Sequence, residues 1–387
     1  MALPLTYNLR NLLVRKTTTL MTALGIALTV AVLLAIQGML AGLRASFQAT
    51  GHPLHLLVLR KGSNAELNSV VTREQFQVLR GKEGIRTENG EQMISHEVVT
   101  VAALPLRGQG ESNVTVRGLS LMGVRMRAEA VKLAEGRWFQ PGQRELAVGL
   151  GVTRANRDAG LGQYIQIGST QWTVVGIFDG GQTAYQGEIW GDANQLGADA
   201  DRAQALSSVL IRAPDRDAAR RLAARIQTDQ RLVHEAIPEA DYYLKQAAEG
   251  RLLQALGTFV AVVMAIGSIF AAMNTMYAAV ARRSREIGVL RVLGFSRASI
   301  LFSFVLESVL LALAGGAMAC LLILPFHGLS NRLGNMTTFS MSVFQFRVTP
   351  SMIAAGLGFA ALMGVVGGLW PARMAARKDP LAALRDL

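Results

Sequence analysis

Hydrophobic and polar positions in this chain separate into long blocks. Residues 17–43 carry no charge over 27 positions, more than the roughly 20 an α-helix needs to cross a bilayer. Residues 252–281 repeat the pattern over 30 positions and residues 348–372 over 25. A further block, 298–324, is interrupted by Glu307 and stopped by Pro325. The first block is too long for the apolar core of a signal peptide, and no clean small-x-small cleavage site follows it, so it reads as a retained transmembrane helix. Gly38/Gly42 and Gly364/Gly368 have the small-xxx-small spacing that lets a second helix approach closely.

Residues 44–250 have a different texture. Charges occur throughout, and short β-rich runs alternate with turn signals. Strands are expected at 54–59, 97–106, 113–119, 145–149 and 207–212, and a hairpin at 164–167 and 171–178 around Gly168-Ser169-Thr170. A helix is expected from Thr72, as its N-cap, to Arg80, and another near 215–228, started by Pro214 and Asp215. The segment 234–243 reads as a closing strand and the entry to the next helix. The fold class is therefore a membrane α-helical protein with four transmembrane helices. A large α+β extracytoplasmic domain is inserted between the first and second, in two subdomains with the middle one set into the outer.

Charge orients the chain. Arg10, Arg15 and Lys16 lie in 1–16. Arg282, Arg283, Arg285, Arg291 and Arg297 lie in 282–297, and Arg373, Arg377, Lys378 and Arg385 in 373–387. The opposite loop, 325–347, has only Arg332 and Arg347. The positive-inside bias puts both termini and 282–297 in the cytoplasm and turns the large domain outward. The same bias explains the net charge of +12 in a chain that is 51% hydrophobic and only 17% charged, so nucleic acid is not expected as a partner and membrane lipids are. Cys320 is the single cysteine and excludes an intrachain disulfide and a cysteine zinc site.

No catalytic chemistry is legible. There is no G-x-x-x-x-G-K-[ST] stretch; Gly81-Lys82-Glu83 lacks both the spacing and the hydroxyl. No Rossmann fingerprint follows a strand, no H-E-x-x-H occurs and no nucleophile elbow is present. The five histidines are scattered; His52 and His55 are the closest pair and read as membrane-proximal surface residues rather than metal ligands. No cofactor is expected, and the chain is not read as an enzyme.

The densest charge lies between two apolar blocks. Arg282, Arg283, Arg285 and Arg291 surround Glu286, with Ile287, Leu290 and Leu293 at three-residue steps and Gly288 and Gly294 among them. Glu286 is within helical reach of Arg282 and Arg283, and Gly294 suits a helix C-terminus. This is either a docking helix for a partner or a basic loop that only sets topology. Glu307 is either an interhelical or dimer-interface contact, or a boundary residue near water. Asp379-Pro380 fits an N-cap and first turn of a last short helix.

Glu286-Ile287-Gly288-Val289-Leu290-Arg291-Val292-Leu293-Gly294 after a long second membrane helix resembles the signature of FtsX-like permeases of ABC transporters, including the MacB and LolC/LolE types. Asn8-Leu9-Arg10-Asn11, Glu135-Gly136-Arg137-Trp138-Phe139, Val174-Val175-Gly176-Ile177, Glu307-Ser308, Pro371-Ala372-Arg373 and Asp379-Pro380-Leu381 extend the resemblance in order along nearly the whole chain. It implies a non-catalytic permease subunit working as a homodimer or heterodimer beside a separate ABC ATPase subunit. Arg282, Arg283, Arg285, Glu286, Ile287, Gly288, Leu290, Arg291 and Gly294 would form the ATPase-coupling helix, with Asp379, Pro380 and Leu381 a second cytoplasmic contact. ATP-driven motion would pass along the helices to the periplasmic domain for export or extraction of a substrate, with a periplasmic adaptor and an outer-membrane channel as candidate partners. The alternatives are an FtsX-like transducer regulating a cell-wall hydrolase and a LolC/LolE-type lipoprotein-releasing permease.

Overall fold

The computed structural model describes residues 16–247, 250–335 and 340–377. The chain divides into two compact units. One draws on Met1–Ala41, Arg251–Gly328 and Phe346–Leu387, the other on Gly42–Gly250 and Leu329–Gln345.

The first unit is helical. The long apolar blocks form the helices Lys16–Ala49, Gly250–Arg282, Arg297–Ile323 and Pro350–Arg377, and four helices among the described residues are long and apolar enough to cross a membrane. In lipid the helix satisfies its own backbone polar groups, so what remains is to pack the helices together. The first and second are joined by hydroxyl pairs, Thr22 Oγ1 to Thr275 Oγ1 at 2.8 Å and Thr29 Oγ1 to Ser268 Oγ at 2.7 Å. The third and fourth meet through small residues. A Cβ added at Gly364 would stand 2.8 Å from Ala312 Cβ and Val309 Cα, and one at Gly316 would stand 2.8 Å from Ala360 Cβ.

The other glycine pair departs from its expected role. Gly38 lies against the ring of Phe346, and Gly42 lies against the carbonyl of Gln345. Neither seats a helix. A small-xxx-small patch is a flat surface, and here an aromatic ring and a strand backbone use it.

The second unit is built on one ten-stranded sheet. In spatial order its strands are His234–Pro238, His55–Arg60, Ser208–Arg212, Ile94–Pro105, Glu111–Leu119, Glu188–Asp192, Glu145–Gly149, Thr170–Asp179 and Lys132–Gly136; Tyr164–Ile167 also pairs with Thr170–Asp179. Ile94–Pro105 changes partner along its length. Ile94 to Glu97 pair with Ser208–Arg212, and Val98 to Pro105 pair with Glu111–Leu119. Strands from both ends of the domain thus form one side of the sheet and strands from its middle the other. The core runs through both, with Leu56, Val58, Val98, Val116, Trp172 and Ile189 at 2% exposure or less. Thr72 caps the helix Arg73–Arg80 in a capping box with Gln75, and Asp215 caps Arg216–Thr228.

A hairpin, Ser330–Asn335 paired antiparallel with Ser340–Gln345, also belongs to this unit. Val343 sits where two glycines leave room: a Cβ at Gly187 would lie 3.0 Å from Val343 Cγ2, and one at Gly151 3.1 Å from Val343 Cγ1.

Candidate functional site

The second long helix stops at Arg282, and a short helix, Ser284–Val292, begins one residue later. Arg283, at the break, turns its side chain inward. Its Nη1 donates to Glu307 Oε2 at 2.8 Å, its Nε donates to Glu286 Oε2 at 3.3 Å, and its guanidinium lies 5.5 Å from the centre of the Phe304 ring. The Arg283 and Glu307 side chains are only 4% and 6% exposed. Glu307 is therefore inside the helical unit, and its partner is the residue immediately before the short helix. A buried pair of this kind is weak evidence for stability, yet breaking it by removing one partner leaves an uncompensated charge.

Ile287 anchors the next turn. It is buried in a cluster with Met276, Val280, Ile300, Phe304, Ala372, Ala375 and Ala376, so the short helix is packed on three of the long ones. Its end is a Schellman motif: the Phe295 N–H donates to Leu290 O at 3.1 Å and the Gly294 N–H to Arg291 O at 3.2 Å. Gly294 has φ +92°, a conformation that glycine adopts without the penalty a Cβ brings. The Ser296 hydroxyl then accepts from the Ser299 N–H at 3.1 Å and starts the third long helix.

The residues singled out by sequence therefore fall into three sets. Arg283, Ile287 and Gly288 face inward; Arg282, Arg285, Glu286 and Gly294 are exposed; Leu290 and Arg291 are half-buried. Arg282 donates to Ala278 O and Arg291 to Phe295 O, so both also brace local backbone. Asp379, Pro380 and Leu381 lie outside the described residues. Sequence reasoning missed Val289, Val292 and, as an outward residue, Leu293, which are 47%, 65% and 67% exposed. The signal was their spacing: Arg285, Val289 and Val292 step by four and three, which is one face of a helix. The segment presents a rim of arginines around an apolar patch and is held from behind by a buried ion pair.

The large domain has a charged interior of its own. Arg117 Nη1 and Nη2 donate to Glu66 at 2.7 and 2.9 Å, its Nε donates to Glu188 at 2.9 Å, and its Nη1 also reaches Glu97 at 2.8 Å. Arg127 donates to both oxygens of Glu97 at 2.6 and 3.0 Å. Glu239 accepts from Tyr185 Oη at 2.8 Å and lies 2.8 Å from His55 Nδ1. Burial alone would raise the Glu239 pKa, but the His55 hydrogen bond and the Arg127 charge outweigh it and hold the carboxyl at about 2. His55 is thus an interior residue, 2% exposed, which corrects the surface reading of the pair. Its ring lies 4.8 Å from that of the more exposed His52, whose pKa is lowered by burial and by the nearby His55. Among the described residues no group of three or more His, Cys, Asp or Glu side chains is arranged to hold a metal ion.

Known proteins share this architecture. The family model described as MacB-like periplasmic core domain matches residues 19–229, and that described as FtsX-like permease C-terminal matches 258–380. The chain is 27% identical over 316 residues to a macrolide export ATP-binding/permease protein MacB of Bordetella avium, covering 75% of this chain and 46% of that protein. It is 28% identical over 239 residues to the MacB of Hahella chejuensis, covering 59% and 36%. It thus spans less than half the length of these MacB relatives. Against the uncharacterized ABC transporter permease YknZ of Bacillus subtilis it is 24% identical over 408 aligned positions, covering 97% of each chain.

Proposed function

We propose that this chain, which belongs to the ABC transporter permeases with a MacB-like periplasmic core domain and an FtsX-like membrane domain, passes ATP-driven motion from a separate ABC ATPase subunit to its periplasmic domain. The observation that carries the proposal is the mounting of Ser284–Val292. One face is fixed by Arg283 and Ile287, and the other offers Arg282, Arg285, Glu286, Val289, Val292 and Leu293 to a partner. A helix fastened to three others moves them when it is pushed, whereas a free basic loop does not. The relative YknZ, which is named an ABC transporter permease and which this chain covers to 97%, supports reading the chain as a non-catalytic permease subunit with hydrolysis in a partner chain. The positive-inside bias supports an inner-membrane protein with both termini and this helix in the cytoplasm. The macrolide export for which the MacB relatives are named supports export or extraction of a substrate by a permease dimer, with an adaptor and an outer-membrane channel as further partners.

The test is purification of the full chain from native membranes after mild crosslinking, alongside Leu293→Asp and Glu286→Ala. The native chain is expected to bring down an ABC ATPase. Leu293→Asp is expected to lose it and Glu286→Ala to weaken it, with permease assembly intact in both. Absence of any ATPase with the native chain, or full recovery with Leu293→Asp, refutes the proposal. Co-recovery of a cell-wall hydrolase or a lipoprotein chaperone would transfer the chain to the FtsX-like or LolC/LolE-type reading.

A further inference from the structure

The last turns of the fourth long helix have two contrasting faces. Ala372, Ala375 and Ala376 are buried in the cluster that holds the short helix. Trp370, Arg373, Met374 and Arg377 are exposed on the other side. With Tyr277 of the second long helix they line an open cleft of about 540 Å³. That lining holds two guanidiniums and no carboxylate, and among the described residues neither arginine forms an ion pair. Two arginines four residues apart, at the point where an uncharged block of the chain ends, sit at headgroup depth. Trp370 and Tyr277 are amphipathic rings of the kind that occupy the same depth. An apolar track continues inward from them: Leu362, Val366 and Trp370, at four-residue steps, are 58%, 38% and 59% exposed.

We propose that this cleft binds an anionic phospholipid. The Arg373 and Arg377 guanidiniums donate to the phosphodiester, a planar bidentate match that a zwitterionic headgroup's own ammonium competes with. Tyr277 and Trp370 flank the headgroup, and an acyl chain lies along Val366 and Leu362. Basic pockets between transmembrane helices select anionic headgroups in this way. Because the opposite face of the same turns holds the short helix, a bound lipid stiffens the element on which that helix is mounted. The assignment requires only that these helices cross a membrane; it does not depend on which ATPase, if any, docks.

Full-length protein in phosphatidylcholine liposomes tests it. Trp370 emission is followed while brominated phosphatidylglycerol or, separately, brominated phosphatidylcholine is raised; the other tryptophans, Trp138, Trp172 and Trp190, lie in the other unit, and Trp370→Phe supplies their background. Half-maximal quenching by the glycerol lipid is expected at a mole fraction on the order of tenfold lower than by the choline lipid. The double variant Arg373→Gln/Arg377→Gln is expected to lose that preference with an unchanged emission maximum, and Arg373→Lys/Arg377→Lys to keep part of it. Equal quenching by the two lipids, or a preference that survives in the glutamine variant, overturns the proposal. Quenching by neither means that protein covers the cleft and also overturns it. Abolition of the preference by inorganic phosphate at matched ionic strength assigns the site to a soluble anion and overturns the lipid assignment.

Discussion

Arg283 and Glu307 are the residues on which the short helix hangs, and their energetics differ from those of the exposed charges around them. An exposed pair contributes roughly 0–1 kcal/mol. Removing one partner of a buried pair costs about 3–5 kcal/mol, because the other charge is left without compensation. Glu307→Gln and Arg283→Gln are each expected to destabilise the helical unit by that amount, and Arg283→Met/Glu307→Met to recover most of it. Cys320, buried on the same helix as Glu307 and the chain's single cysteine, supplies the measurement: its rate of maleimide labelling on heating reports opening of this unit. A double variant as unstable as the sum of the singles contradicts the pairing. In the large domain the informative residue is Glu239. Its carboxyl is held at about 2 from an ordinary 4.5. A depressed carboxylate contributes its full stability above the unfolded value and loses it as pH falls toward the folded one. The domain is therefore expected to weaken between about pH 4.5 and 2, by an amount on the order of 3 kcal/mol from this residue. Fluorescence of Trp172 and Trp190 during unfolding measures it, and Glu239→Gln should flatten that part of the pH profile.

At the scale of elements, the hairpin Ser330–Gln345 carries the most information that the sequence hid. Its seat depends on missing side chains. Gly187→Ala is expected to push against Val343 and cost about 1–3 kcal/mol, as overpacking does. Val343→Ala in the same chain should return most of that, because it vacates the space the new methyl needs. Hydrogen exchange across Ser340–Gln345 gives the readout; protection lost in Gly187→Ala and not regained in the pair would mean that the two do not touch. The sequence offered little warning of this element. Ser330–Asn335 and Ser340–Gln345 have neither strict alternation nor a strong turn signature, and their register is set by a surface far away in the chain. The long helices were legible because length and absence of charge are local properties. The short helix was legible in its ends, Gly294 above all. Its orientation was not: four arginines look alike in sequence, and only a carboxylate 24 residues on singles out Arg283.

On the scale of the whole molecule, four long apolar helices and an inserted α+β domain could be read directly from the chain. The ion network could not, because Glu66, Glu97, Arg117, Arg127, Glu188 and Glu239 come from six separate places and read singly as ordinary surface charges. His55 was misread for the same reason. The chain also enters the large unit twice, first for Gly42–Gly250 and again for Leu329–Gln345. A soluble fragment cut out as 42–250 is therefore not the whole of that unit. It leaves behind the hairpin and bares Gly151 and Gly187, together with the edge of a cavity lined by Arg117, Glu188 and Tyr243 that Ser340 and Ser342 otherwise close. Anyone who crystallises or screens such an excised piece would be looking at a face that the intact chain covers with its own second insertion, and a ligand found there would be occupying the hairpin's place.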